Sequence, residues 1–165
     1  MRKQKGFSLI ELLIVVAIIL IIAAIAIPNL LRSRIAANEA AAVGALRTLN
    51  TAEVTYQTTY PDLGYNCTIT TLGPGNNTVS STSAGLIDAT LATGMKSGYT
   101  FNYPPPNSPF CLQTASGITI TYAFGADPTT PGQTGQRYFC SDQSGEIKYH
   151  QTQSDALCLS NGKPL

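Results

Sequence analysis

The chain of 165 residues holds one histidine, His150, and no nucleophile motif beside it. That removes histidine-assisted nucleophilic catalysis and leaves His150 as a surface or edge residue near the end of a strand. No glycine-rich phosphate loop is present: Gly73, Gly75 and Gly85 sit among Thr and Ser, not between a strand and a helix. The four cysteines, Cys67, Cys111, Cys140 and Cys158, include no C-x-x-C pair, so metal-site spacing is absent. Asp127, Asp142 and Glu146 do not follow EF-hand spacing, and DQSGE at 142–146 reads as a turn rather than a calcium loop. Positive charge is scarce beyond the first residues. Removing Arg2, Lys3 and Lys5 from a net charge of +1 leaves −2, with no basic patch for nucleic acid. The expectation is a protein without cofactor or metal, and not an enzyme.

What is there begins at the N-terminus, MRKQKGFSLIELLIVVAIILIIAAIAIPNL. A basic head precedes Gly6. From Phe7 to Ile27 the chain is apolar for 21 residues, broken only by Ser8 and Glu11. As a helix that run measures roughly 32 Å, enough to cross a bilayer. An acid inside such a run costs roughly 2.5–3.5 kcal/mol near the helix centre, somewhat less towards an end. Glu11 therefore calls for a partner that this chain alone does not obviously supply. A secretory signal would have a core of about 7–15 residues and a small-residue exit after it. Here the core is longer, it runs through Pro28 into Leu30, Leu31, Arg32 and Arg34, and the small residue, Gly6, comes first.

The GFSLIE string, the glutamate five residues into a chain that would start at Phe7, and the proline near the far end of the run resemble the leader of type IV pilins and pseudopilins over residues 1–35. The resemblance implies that a prepilin peptidase cuts after Gly6 and N-methylates Phe7, leaving 159 of the 165 residues. It implies a homo-oligomeric filament in which Glu11 of one subunit pairs with the terminal amine of a neighbour. A buried ion pair need not add net stability, but an unmatched buried charge costs several kcal/mol, so the pair would act as a register device. Subunits would wait in the bacterial inner membrane, held by the three leader cations on the cytoplasmic side, until an assembly platform and ATPase extract them. The filament would then be periplasmic or extracellular. The implied function is a structural subunit of a type IV pilus. A type II secretion pseudopilin driving export is the neighbouring alternative, and a membrane-tethered adhesive module is the alternative of another class.

Helical character continues past Pro28, where a kink or local break is expected because proline lacks a backbone donor. Leu31, Ile35, Ala42, Leu46, Leu49 and Tyr56 follow steps of three, four and seven and form one apolar stripe. Arg32, Arg34, Asn38, Glu39, Arg47 and Asn50 lie mostly on other faces, and Gly44 softens the segment. The pattern predicts one helix from about Phe7 to Thr58, ended by Pro61 and Gly64. Residues 68–94 read as loop by their Thr, Ser, Gly and Asn content, with a short helical turn near Leu86–Ala92. Strands are expected at 98–103, 117–124, 136–141 and 146–150, the last two joined by a hairpin turn at Asp142–Gly145. Tyr56, Tyr60, Tyr65 and Phe101 read as aromatic packing against the sheet.

The predicted architecture is α+β: a long N-terminal helix packed on a small antiparallel sheet of three to four strands, the pilin fold. Its parts are a leader at 1–6, a transmembrane and filament-core helix at 7–28, an amphipathic half at 29–60, and a globular region at 61–165. An even cysteine count in an exported domain favours two disulfides. Three connectivities are open from the residues alone. The preferred one joins Cys140 to Cys158, closing the C-terminal segment, and Cys67 to Cys111, closing the middle. The disulfide-bounded C-terminal loop of many pilins supports the first pair.

Overall fold

The structure, a computed structural model, describes residues 6–75, 78–103, 110–151 and 155–165. Arg2, Lys3 and Lys5 of the leader, and Pro104, Pro105 and Pro106, lie outside the described residues. Helix α1 runs Leu9–Thr59. It is followed by α2 (Ile69–Leu72), α3 (Ala89–Ala92), β1 (Met95–Lys96), β2 (Tyr99–Asn102), β3 (Ala123–Pro128), β4 (Tyr138–Asp142), β5 (Ile147–His150), α4 (Asp155–Asn161) and β6 (Lys163–Pro164). The chain divides into two compact units, Met1–Arg34 and Ile35–Leu165.

The first unit is the start of α1. Helical assignment passes through Pro28 without interruption, so the local break does not occur. The second unit contains the rest of α1 and everything after it. Threonine-rich sequence is not an obvious helix former, yet α1 continues to Thr59. The hydroxyls of Thr51, Thr55, Thr58 and Thr59 each donate to the carbonyl four residues back. Pro61 then stops the helix by disfavouring helical backbone at Tyr60. Gly64 takes φ +78, and a Cβ there would run into the Thr119 carbonyl oxygen.

The six strands form one antiparallel meander in chain order. Two of them, β1 and β6, have only two residues, so β2 to β5 make the body of the sheet and two short edges extend it. Register places Phe101, Ala126, Phe139 and Tyr149 in one cross-strand row. Phe101, Ala126 and Phe139 are buried with Tyr99, Phe124 and Ile147 against Ala42, Leu46, Leu49 and Tyr56 of α1. On the other face, Cys140 is joined to Cys158 of α4.

Three expectations are corrected. Leu31 is exposed, so the buried stripe starts at Ile35. The strand expected at 117–124 is displaced: the ladder holds Ala123–Pro128 instead. The Ile/Thr alternation before it pairs elsewhere. Thr119 exchanges backbone bonds with Leu63 and Tyr65, and the Ile120 N–H donates to the Leu112 carbonyl. Residues 68–94 also hold α2, which their loop-like composition concealed.

Candidate functional site

The start of α1 is built from GFSLIE. Ser8 precedes the helix and Glu11 sits three residues on, the spacing of a capping box. The Ser8 backbone N–H donates to Glu11 Oε2 at 2.9 Å, and the Leu12 N–H to the Ser8 carbonyl at 3.3 Å. Glu11 thus has a donor within its own chain, a partner that was not obvious from the residues. S-x-x-E was the signal for it. One amide donor does not balance a full charge, and no ion pair reaches Glu11 among the described residues.

Around it the surface is apolar on every side. Phe7 is 81% exposed, and Leu9, Ile10, Leu12, Leu13, Ile18 and Leu20 are all exposed. By length and composition this stretch suffices to cross a membrane. Exposed apolar surface of this extent marks an interaction face, since soluble monomers do not carry it. Gly6 is exposed, and a Cβ there would meet nothing within 4 Å. Neither packing nor a positive φ requires glycine at this position in the folded chain. Pro28 stands within α1, between the apolar run and the exposed Arg32 and Arg34.

In the second unit, α1 carries two buried carboxylates: Glu39, which the helical pattern placed on another face, and Glu53, which it did not single out. Glu39 accepts the backbone N–H groups of Gln136 and Arg137 and pairs with the Arg137 guanidinium, at 2.8 Å from Nε and 2.7 Å from Nη2. That guanidinium also stacks over the Phe139 and Tyr149 rings. Asn38 Nδ2 donates to the Thr134 carbonyl, so Asn38 and Glu39 together fasten 134–137 to the helix. Asn50 donates to Ser141 Oγ and accepts from the Tyr122 hydroxyl. Asn38, Glu39 and Asn50 therefore face the domain rather than away from it. Glu53 is fully buried, and burial pushes its carboxyl up to about 7 from 4.5, against the lowering effect of its two donors, Tyr103 and Asn66.

Disulfides join Cys67 to Cys111 and Cys140 to Cys158, with Cα separations of 6.1 and 6.0 Å. Asp142 closes the hairpin turn: its carbonyl accepts from Gly145 N–H and its side chain from Ser144 N–H. Glu146 pairs with Lys148, and Asp127 accepts from Asn102 Nδ2. No group of three His, Cys, Asp or Glu residues is arranged to hold a metal among the described residues.

Residues 1–27 match the family described as the prokaryotic N-terminal methylation motif. The chain is 39% identical over 116 residues to the type IV wide pilus major component PilA4 of Thermus thermophilus, covering 70% of this chain and 69% of that one. It is 46% identical over 54 residues to the type IV major pilin protein PilA of Myxococcus xanthus, covering 33% of this chain and 24% of that one. No solved structure matches it.

Proposed function

The chain belongs to the type IV pilin family and is a structural subunit of a type IV pilus, and we propose that residues 7–28 hold it first in the bacterial inner membrane and then in the filament core. One observation carries this reading: an apolar band exposed on all sides of a helix, with a single carboxylate near its start. Such a helix is stable only where apolar matter surrounds it. Lipid supplies that before assembly, and neighbouring stems supply it afterwards. Both relatives are named for pili, which favours the pilus over the secretion filament.

A prepilin peptidase cuts after Gly6 in this reading. The freedom of space around Gly6 supports it, because the need for a small residue then comes from the peptidase rather than from the fold. Cleavage turns Phe7 into a terminal ammonium, and N-methylation keeps its charge. Glu11 of one subunit takes the Phe7 amine of a neighbour. A misaligned subunit leaves two charges unmatched in apolar surroundings, at a cost of several kcal/mol. An assembly platform and ATPase draw the subunit from the membrane. Against an adhesive module stands the lack of an aromatic groove: every described Tyr and Phe beyond Phe7 is buried or half-buried.

Electron microscopy of sheared surface fibres, with mass spectrometry of their main component, tests the assignment. The expected result is an abundant 159-residue chain with a methylated Phe7 at its start. Fibres without this chain, or a chain that keeps Met1, would overturn it.

A further inference from the structure

The two buried carboxylates of α1 are treated differently by their surroundings. Glu39 has the Arg137 guanidinium. Glu53, with 0% of its surface exposed, has no ion pair among the described residues. Its Oε2 accepts the Asn66 N–H at 2.8 Å and its Oε1 accepts the Tyr103 hydroxyl at 2.6 Å. Among the described residues, the titratable groups that face it are phenols. Tyr56 comes from α1 itself, Tyr103 from the residue just after β2 and Tyr122 from the residue before β3. Each is itself pushed above its ordinary range by burial, so all three stay neutral near neutral pH and none offers positive charge.

An isolated carboxylate in such a place is expensive, whereas a carboxylic acid is not. The geometry also suits the neutral acid. One oxygen keeps the Asn66 N–H, and the other becomes a hydroxyl that donates to the Tyr103 oxygen, with the Tyr103 hydroxyl turned the other way. We propose that Glu53 is a protonation latch. As the neutral acid it fastens Asn66 and Tyr103 to α1, and its ionisation favours an opening of that end of the domain in which the carboxylate reaches water. Asn66 adjoins Cys67, and the Cys67–Cys111 disulfide keeps the opened segment tethered.

The sign follows from the closed form holding its proton more tightly than the open one. With the acid at about 7 when closed and 4.5 when hydrated, the opening equilibrium rises roughly thirtyfold between about pH 5.5 and about pH 8.5. Hydrogen exchange on the full processed chain in detergent micelles at those two pH values, corrected for the intrinsic rates, reads this ratio. Amides around Asn66 and at the end of β2 should lose protection by that factor. Glu53→Gln keeps an acceptor for Asn66 and a donor for Tyr103, so its protection should not change with pH. Equal protection at both pH values in the native chain, or the same pH response in Glu53→Gln, would overturn the latch. The carboxyl 13C shift of Glu53 in the native chain gives a second reading that depends on no variant. Titration near neutrality supports the latch, and titration in the ordinary glutamate range sinks it.

Discussion

The two halves of α1 share one helical backbone and meet opposite fates. Between Leu9 and Leu31 every isoleucine and leucine is exposed; between Ile35 and Tyr56 one stripe is buried and the opposite face is wet. The difference lies in how polar residues are spread. The second half interrupts its apolar residues with Asn, Glu, Arg and Thr at helical spacing, which leaves one face to cover, and the sheet covers it. The first half has no polar face. A single packed neighbour cannot cover a helix that is apolar all round, so it needs a surrounding medium of lipid or several copies of itself. The carboxylates divide in the same way. Glu39 and Glu53 find donors within the folded domain, whereas Glu11 finds one backbone amide and is left needing a cation.

That contrast breaks first at the N-terminus. Gly6→Val should leave folding untouched, since space is open there, and abolish processing; mass spectrometry should find only chains that keep Met1. Phe7→Ala should be processed far better. Glu11→Val should be processed normally and still cut fibre yield by more than about tenfold, because a neighbour's amine is left unpaired in apolar surroundings. Fibre counts by microscopy check this, and an unchanged melting curve shows that the domain is intact.

Matched truncations sharpen it next. Leu46→Ala, at a fully buried position, should destabilise the domain by about 2–5 kcal/mol in denaturant titrations followed by tyrosine signals. Leu20→Ala, in the exposed half, should change domain stability by less than about 0.5 kcal/mol. Acidity is the third lever. The folded domain binds a proton at Glu53 more tightly than the unfolded chain does. Stability should therefore be greatest below pH 4.5 as far as this group decides, and fall by about 3 kcal/mol as pH rises to about 7. Denaturant midpoints in the native chain and in Glu53→Gln separate this term from other titrations. Least, Gly44→Ala should stabilise the helix by about 0.5–1 kcal/mol, visible as a small rise in Tm, because a Cβ at Gly44 meets nothing within 4 Å.

Much of this was legible in the residues. The exposed apolar run, the helix to within a residue or two at its ends and three of the four long strands announce themselves through periodicity. The displaced third strand did not, because Ile/Thr alternation marks extended chain without saying which neighbour it pairs with. The buried glutamates are harder to see, because charged residues on a helix are mostly exposed. Yet the apolar stripe steps by seven from Ile35 to Ala42 and from Leu49 to Tyr56, and Glu39 and Glu53 fill those two gaps at helical spacing. A carboxylate at such a position faces the core and needs donors there. Those donors, Arg137, Asn66 and Tyr103, lie far along the chain or in irregular segments, where only the tertiary fold brings them into place.

The charge in the apolar half of α1 is either matched by another copy of the chain or left unmatched. Fibres grown from a mixture of 15N-labelled and 13C-labelled subunits, studied by solid-state magnetic resonance, measure this. A contact between the Phe7 nitrogen of one label and the Glu11 carboxyl of the other, at ion-pair distance, is the predicted result. Its absence, or its appearance only when both labels are in the same chain, would contradict the account.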